Sequence, residues 1–356
     1  MGNLLQYPVT SKILKYHSNN MFYATDISIN GYRTSMEDSS IVYLGERWSY
    51  GGIFDGHSGE DCSNFVSIEI MNQLRKLELS GVDISNGLIT DEQLYELCYN
   101  VDKAYYKNVN NKSGSTATFF ILHSYDSKSC GVIICNIGDS KTFIISDNKI
   151  QLETVDHSPI NPNEKDRITK ADSFVAGGRV RGELAVSRAF GDFVYKDNVS
   201  TDMDSFFKSE VISKPDVYRT RLNPNSTLIC ACDGLFENDV WTPSQIASEY
   251  EDEVFGDFMN YVVNEAITRG SKDNISMLML KFKSISDIDK NNTLIFIPGT
   301  YYEPLSDPFV KAYTLMANKA GLSLLDALKK RLILCKTKGG DLESEIKILE
   351  NIIASM

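Results

Sequence analysis

Apolar residues in this chain keep two rhythms. Short aromatic and β-branched runs at 41–44, 48–54, 116–122, 132–137, 227–231 and 275–282 are bounded by Gly, Asp and Asn, and each predicts a strand. Residues 22 to 29 alternate in the same manner and end at Asn30-Gly31, a turn signal that predicts a hairpin returning with Arg33, Glu37 and Asp38. Elsewhere the apolar positions step by three and four. Phe65, Ile68, Ile70, Met71 and Leu74 predict one helix, Leu94, Leu97, Val101 and Tyr105 a second, and 255–267 a third. Residues 163–170 add a short helix. The strands follow one another across polar turns, which predicts antiparallel core strands.

Other stretches break both rhythms. Gly177, Gly178 and Gly182 mark a loop that suits a substrate-facing flap as well as a plain surface loop. Residues 196–210 are acidic, contain serines and have no periodicity, so a mobile segment is expected. Past residue 282, helices are predicted within 304–317 and 322–334, and Gly339-Gly340 breaks the chain before a last helix with Leu342, Ile346, Leu349 and Ile353 on one face. The expected division is an N-terminal arm (1–21), a central domain (22–282) and a C-terminal helical extension (283–356) that packs on it.

Composition narrows the function. The chain has 356 residues, 42% hydrophobic and 24% charged, enough for a sizeable core. Its 36 basic and 48 acidic side chains leave a net charge of -12, with no basic face for nucleic acid. Seven cysteines, odd in number and without paired metal-ligand spacing, read as buried thiols of a reduced intracellular protein, cytoplasmic or nuclear. No apolar run is long enough to span a bilayer. Gly2 after Met1 suits N-myristoylation, which would bring membrane association, but Gln6 stands where Ser or Thr is wanted, so an unmodified arm is expected.

The chemistry lies at the strand ends. Four predicted strands begin or end beside an acidic turn, at Asp55, Asp139, Asp233 and Asp273. Each alone is an ordinary turn residue. Gathered at one edge of packed sheets, they would raise one another's pKa and resist ionisation unless divalent cations lay between them. Oxygen ligands without paired His or Cys suit Mg²⁺ or Mn²⁺ rather than zinc.

An ordered series of short motifs then carries a resemblance. Arg33 with Glu37-Asp38, Phe54-Asp55-Gly56-His57, Gly114-Ser115-Thr116-Ala117, Gly138-Asp139-Ser140, Asp156-His157, Leu184-Ala185-Val186-Ser187-Arg188, Lys214-Pro215-Asp216-Val217, Asp233-Gly234 and Asp273-Asn274 follow one another along residues 22–282. The series resembles the type 2C metal-dependent protein phosphatases, the PPM family. Ser58, Lys141 and Phe236-Glu237 depart mildly from the family's pattern, and no expected metal ligand is missing.

The resemblance implies an α+β fold, a four-layer αββα sandwich of two antiparallel sheets with flanking helices, in a monomer. It implies two Mn²⁺ or Mg²⁺ ions. Asp55 would bridge them, the Gly56 carbonyl and Glu37 would serve one, Asp233 and Asp273 the other, and Asp139 with Asp233 a weaker third. Asp38 and Asn274 would stand behind the ligands. The implied activity is hydrolysis of phosphoserine and phosphothreonine in proteins by a water activated between the ions, without a phosphoenzyme. Arg33 would grip phosphate and His57 would protonate the leaving alkoxide. Two alternatives stand beside it: a silent relative that binds partners through the same fold, and a hydrolase of small phosphate esters. The intact acids weigh against the first.

Overall fold

The computed structural model describes residues 4–109, 111–126, 128–197, 202–250, 255–283, 292–301, 306–338 and 342–356. Its centre is a pair of antiparallel sheets. One has the strand order Lys149–Glu153, Lys141–Ser146, Ser226–Ala231, Ile275–Phe282, Phe22–Gly31, Val9–Ser18 and Thr293–Ile297. The other runs Asp216–Leu222, Cys130–Ile137, Ala117–His123, Ser49–Phe54 and Ser39–Leu44.

Side chains that alternate along each strand feed different layers. From Ala117–His123, Ala117, Phe119 and Ile121 face helices α1 (Asp61–Leu79) and α2 (Asp91–Asn108), while Phe120 and Leu122 enter the core between the sheets. From Ile275–Phe282, Met277 and Met279 join the layer with Trp241, Met259 and Val262, and Leu278 and Leu280 enter the inter-sheet core. The result is the expected four layers, with α1 and α2 outside one sheet. Outside the other lie α5 (Pro243–Glu249) and α6 (Phe255–Arg269), the helices α3 (Pro162–Lys170) and α4 (Met203–Phe206) falling between these pairs in the chain. Buried on both faces, strands such as Cys130–Ile137 and Ser226–Ala231 are largely apolar, which is why they read as continuous runs.

Three regions differ from expectation. The N-terminal segment read as an arm contains the strand Val9–Ser18, which pairs with Phe22–Gly31 and Thr293–Ile297. Its apolar residues are interleaved with Ser11, Lys12 and Lys15, which masked the signal. The C-terminal extension accordingly begins with a strand of the same sheet, followed by α7 (Asp307–Lys319), α8 (Leu324–Lys338) and α9 (Glu343–Ser355). Last, α4 (Met203–Phe206) occupies the stretch expected to be mobile. It buries Phe206 against Tyr99, an aromatic contact that outweighs the polar composition. Gly2 and Gly339-Gly340 lie outside the described residues. Among the described residues no helix is long and apolar enough to cross a membrane.

The stretch marked by Gly177, Gly178 and Gly182 is a small hairpin, Val175–Ala176 with Arg179–Val180, above α3 (Pro162–Lys170). Buried charge anchors the helix beneath it. Glu164 of α3 accepts from Arg188 at 2.7 Å and Arg167 at 2.8 Å, and Arg188 also reaches Asp216 and the Lys214 carbonyl at 2.9 Å. The motifs around Arg188 and Asp216 thus hold the flap to the sheet.

Candidate active site

The four strand-end aspartates meet where the two sheets open. Asp55 and Asp139 come from one sheet, Asp233 and Asp273 from the other. They line a cavity of about 500 Å³ together with Arg33, Glu37, Gly56, His57 and Asn274, and Arg179, Leu184 and Val186 of the flap region form its far wall. Every predicted site residue except Asp38 lines this cavity. Asp38 is buried, its carboxylate lying within 4.8 Å of the ligand atoms of Asp55 and Cys232.

Hydrogen bonds fix the turns. The Thr116 N–H donates to the Asp55 carbonyl at 2.9 Å, and the Thr116 hydroxyl bonds Ser140 at 2.7 Å, tying the Asp55 and Asp139 turns together. Asn274 clasps the hairpin return: its Oδ1 accepts from the Glu37 N–H at 2.9 Å, and its Nδ2 donates to the carbonyls of Asn30 at 2.8 Å and Ser35 at 2.9 Å. Gly56 is required at its position, because a Cβ there would stand 2.3 Å from the Glu37 carbonyl oxygen. The Glu37 carboxylate accepts from Ser35 at 2.7 Å and from the Gly59 N–H at 3.0 Å. Ser58, where glycine is commoner in the resembling family, adopts φ +59°, the left-handed region that favours glycine.

Electrostatics set this cluster apart. Burial raises the pKa of Asp55 well above the carboxylate range, and the charges of Asp233, Asp38 and Asp273 add to it. Asp139 is pushed up to about 8 by burial and Asp233, Asp38 to about 7 by burial, and Asp273 to about 6 by burial and Asp233. The Asp233 Oδ1, like the Asp38 Oδ2, is buried without a hydrogen-bond partner. Orphaned carboxylate oxygens in a self-repelling cluster fit bound cations. Cys232 does not change the ligand class. Its thiol, raised well above its usual pKa by burial, accepts from the Ser276 N–H at 3.1 Å.

Arg33 pairs with Asp273 and leaves 40% of its side chain exposed at the cavity. His57 holds a partner that sequence reasoning missed. Its Nε2 lies 2.7 Å from Asp192 Oδ2, and the pair packs so closely over Gly114 that a Cβ there would stand 2.3 Å from Nε2. Burial works against the imidazolium, but the charge and hydrogen bond of Asp192 raise the His57 pKa on balance. Asp192 takes φ +51° after Gly191. The signal was another Gly-Asp turn, set far from His57 in the chain.

Known proteins resemble this chain in sequence and in fold. The family model described as Protein phosphatase 2C matches residues 24–275. Protein phosphatase ppm-1.A of Caenorhabditis elegans is 30% identical over 316 residues, 81% of this chain and 65% of that protein. Protein phosphatase 1B of Homo sapiens is 30% identical over 309 residues, 80% of this chain and 62% of that one. The chain thus spans somewhat under two thirds of these relatives' length. Among solved structures, a phosphatase from Toxoplasma gondii superposes with a TM-score of 0.69 at 21% identity, covering 80% of this chain and 99% of that one, so it shares the fold. The chain belongs to the protein phosphatase 2C family.

Proposed function

We propose that this chain is a metal-dependent protein-serine/threonine phosphatase that hydrolyses phosphoserine and phosphothreonine without a phosphoenzyme. The observation that carries this reading is the aspartate cluster itself, four strand-end carboxylates of raised pKa around an unpartnered Asp233 oxygen. Two Mn²⁺ or Mg²⁺ ions bound there would acidify a water and neutralise phosphoryl oxygens. Asp55 would bridge them, Gly56 through its carbonyl and Glu37 would hold one, Asp233 and Asp273 the other, and Asp139 with Asp233 a weaker third. Asp38, buried behind Asp55, orients that ligand.

The remaining residues handle the phosphate and the proton. Arg33 stands at the cavity's edge, where guanidinium donors not taken by Asp273 can grip phosphoryl oxygens. His57 is the general acid for the departing alkoxide, a poor leaving group without a proton. Asp192 fixes Nε2, so Nδ1 is the donating atom. The flap residues Arg179, Leu184 and Val186 face the cavity and would meet the phosphoprotein substrate.

The test is phosphate release from a phosphothreonine peptide with Mn²⁺, with Mg²⁺ and with chelator. Metal-dependent release that Asp55→Asn abolishes supports the reading; no release with any divalent ion, from folded protein, overturns it.

A further inference from the structure

The loop that bears Arg33, Glu37 and Asp38 is held from two sides by different parts of the chain. On the cavity side Asn274 clasps it. On the other side Met36, only 2% exposed, is buried in an apolar cluster with Leu5, Val9, Tyr301, Phe309 and Tyr313. That cluster is built from the N-terminal strand and the C-terminal helices, outside the residues 24–275 that match the family. The Leu5 N–H adds a bond to the Tyr32 carbonyl at 2.7 Å.

A second tether runs from the same unit. Lys319, at the end of α7, reaches Glu60 Oε2 at 2.5 Å. Glu60 follows Gly59, whose N–H donates to Glu37 Oε2 at 3.0 Å. Both tethers therefore end beside Glu37, one on the preceding residue and one behind the N–H that its carboxylate accepts from. A carboxylate ligand binds a cation well only when its outer partners hold it in the ligating orientation.

We propose that Met36 and Lys319 are positioning residues through which the terminal strand and the C-terminal helices clamp the Arg33–Asp38 loop, and so set the affinity of the aspartate cluster for divalent cation. The proposal rests on the reading that this cluster binds such ions. The terminal strand and the C-terminal helices are then part of the metal site's support rather than a separate module.

Calorimetric titration of the full chain with Mn²⁺ tests it, with melting in chelator as the check on folding. Met36→Ala is expected to weaken Mn²⁺ binding by about 10-fold or more. Met36→Leu, close to it in volume, should keep wild-type affinity. Lys319→Met should weaken binding several-fold, and the charge swap Glu60→Lys with Lys319→Glu should restore it. Affinity within about two-fold of wild type in folded Met36→Ala overturns the proposal, and if that variant does not fold, the same result in Lys319→Met does so. A wild-type chain that takes up no Mn²⁺ would overturn both readings. Uptake without turnover of a phosphopeptide would remove the phosphatase reading and leave this one standing.

Discussion

Asp55 is costly to the fold that carries it. Burial and three neighbouring acids raise its pKa well above the usual range, so its charge is stabilised only when cations are present. Asp55→Asn is therefore expected to do two opposite things: lower phosphopeptide turnover by at least about 10²-fold, and raise the melting temperature in chelator by about 2 °C or more. A variant that loses turnover and also melts lower in chelator would contradict the electrostatic account. The His57–Asp192 pair makes a different prediction. An alkoxide needs a proton to leave, whereas a nitrophenolate leaves readily without one. His57→Gln and Asp192→Asn should thus slow a phosphothreonine peptide by about 10²-fold while slowing p-nitrophenyl phosphate far less. Equal losses on the two substrates would remove His57 from proton donation.

At the scale of elements, the flap is held by buried charge as well as by an apolar cluster that includes Ile168, Val180 and Val186. Glu164 is 4% exposed, and its hydrogen bonds and ion pairs with Arg188 and Arg167 outweigh burial and bring its pKa down to about 2. A depressed carboxylate contributes stability that is fully present above its ordinary pKa of 4.5 and is lost as pH falls towards 2. The shift corresponds to a contribution on the order of 3 kcal/mol. Glu164→Gln should accordingly melt well below wild type at neutral pH, with the gap narrowing as the pH is taken below about 4. A gap that stays constant across that range would mean that packing, not charge, fastens α3. The same network explains why the motifs at Arg188 and Asp216 are remote from the cavity yet belong to the pattern: they fix the wall, not the chemistry.

For the whole molecule, the balance of the aspartates couples stability to metal and pH. Asp139 at about 8 and Asp38 at about 7 are raised above the carboxylate value, so the stability tied to them is present at low pH and is lost as pH rises through those values. In chelator the melting temperature is expected to fall between about pH 5 and pH 8 on their account. Saturating Mn²⁺, which binds only the folded chain, should stabilise by about 2.7 kcal/mol at a hundred times its Kd and flatten that fall. A chelated protein whose stability rises over the same range would show that the cluster is ionised without cations.

Much of this protein was legible in its residues alone. Continuous apolar runs such as 132–137, the helical spacing of Leu94 to Tyr105 and the Asp-Gly turns depend on local chemistry, and local chemistry is written in consecutive residues. The order of the motifs disclosed the family, and the likeness of the four strand-end turns suggested that their acids share a site. Strand Val9–Ser18 escaped notice because its membership of the sheet is decided by partners at Phe22–Gly31 and Thr293–Ile297, not by its own pattern. Met203–Phe206 escaped because one buried Phe206 contact outweighs polar neighbours. Asp192 beside His57, Cys232 beside Asp55 and Met36 beneath the C-terminal helices join residues far apart in the chain. The sequence by itself determined which residues could bind metal and move a proton. Only the tertiary structure decided which of them meet and what holds them there, because distance across a packed core carries no trace in the order of residues along the chain.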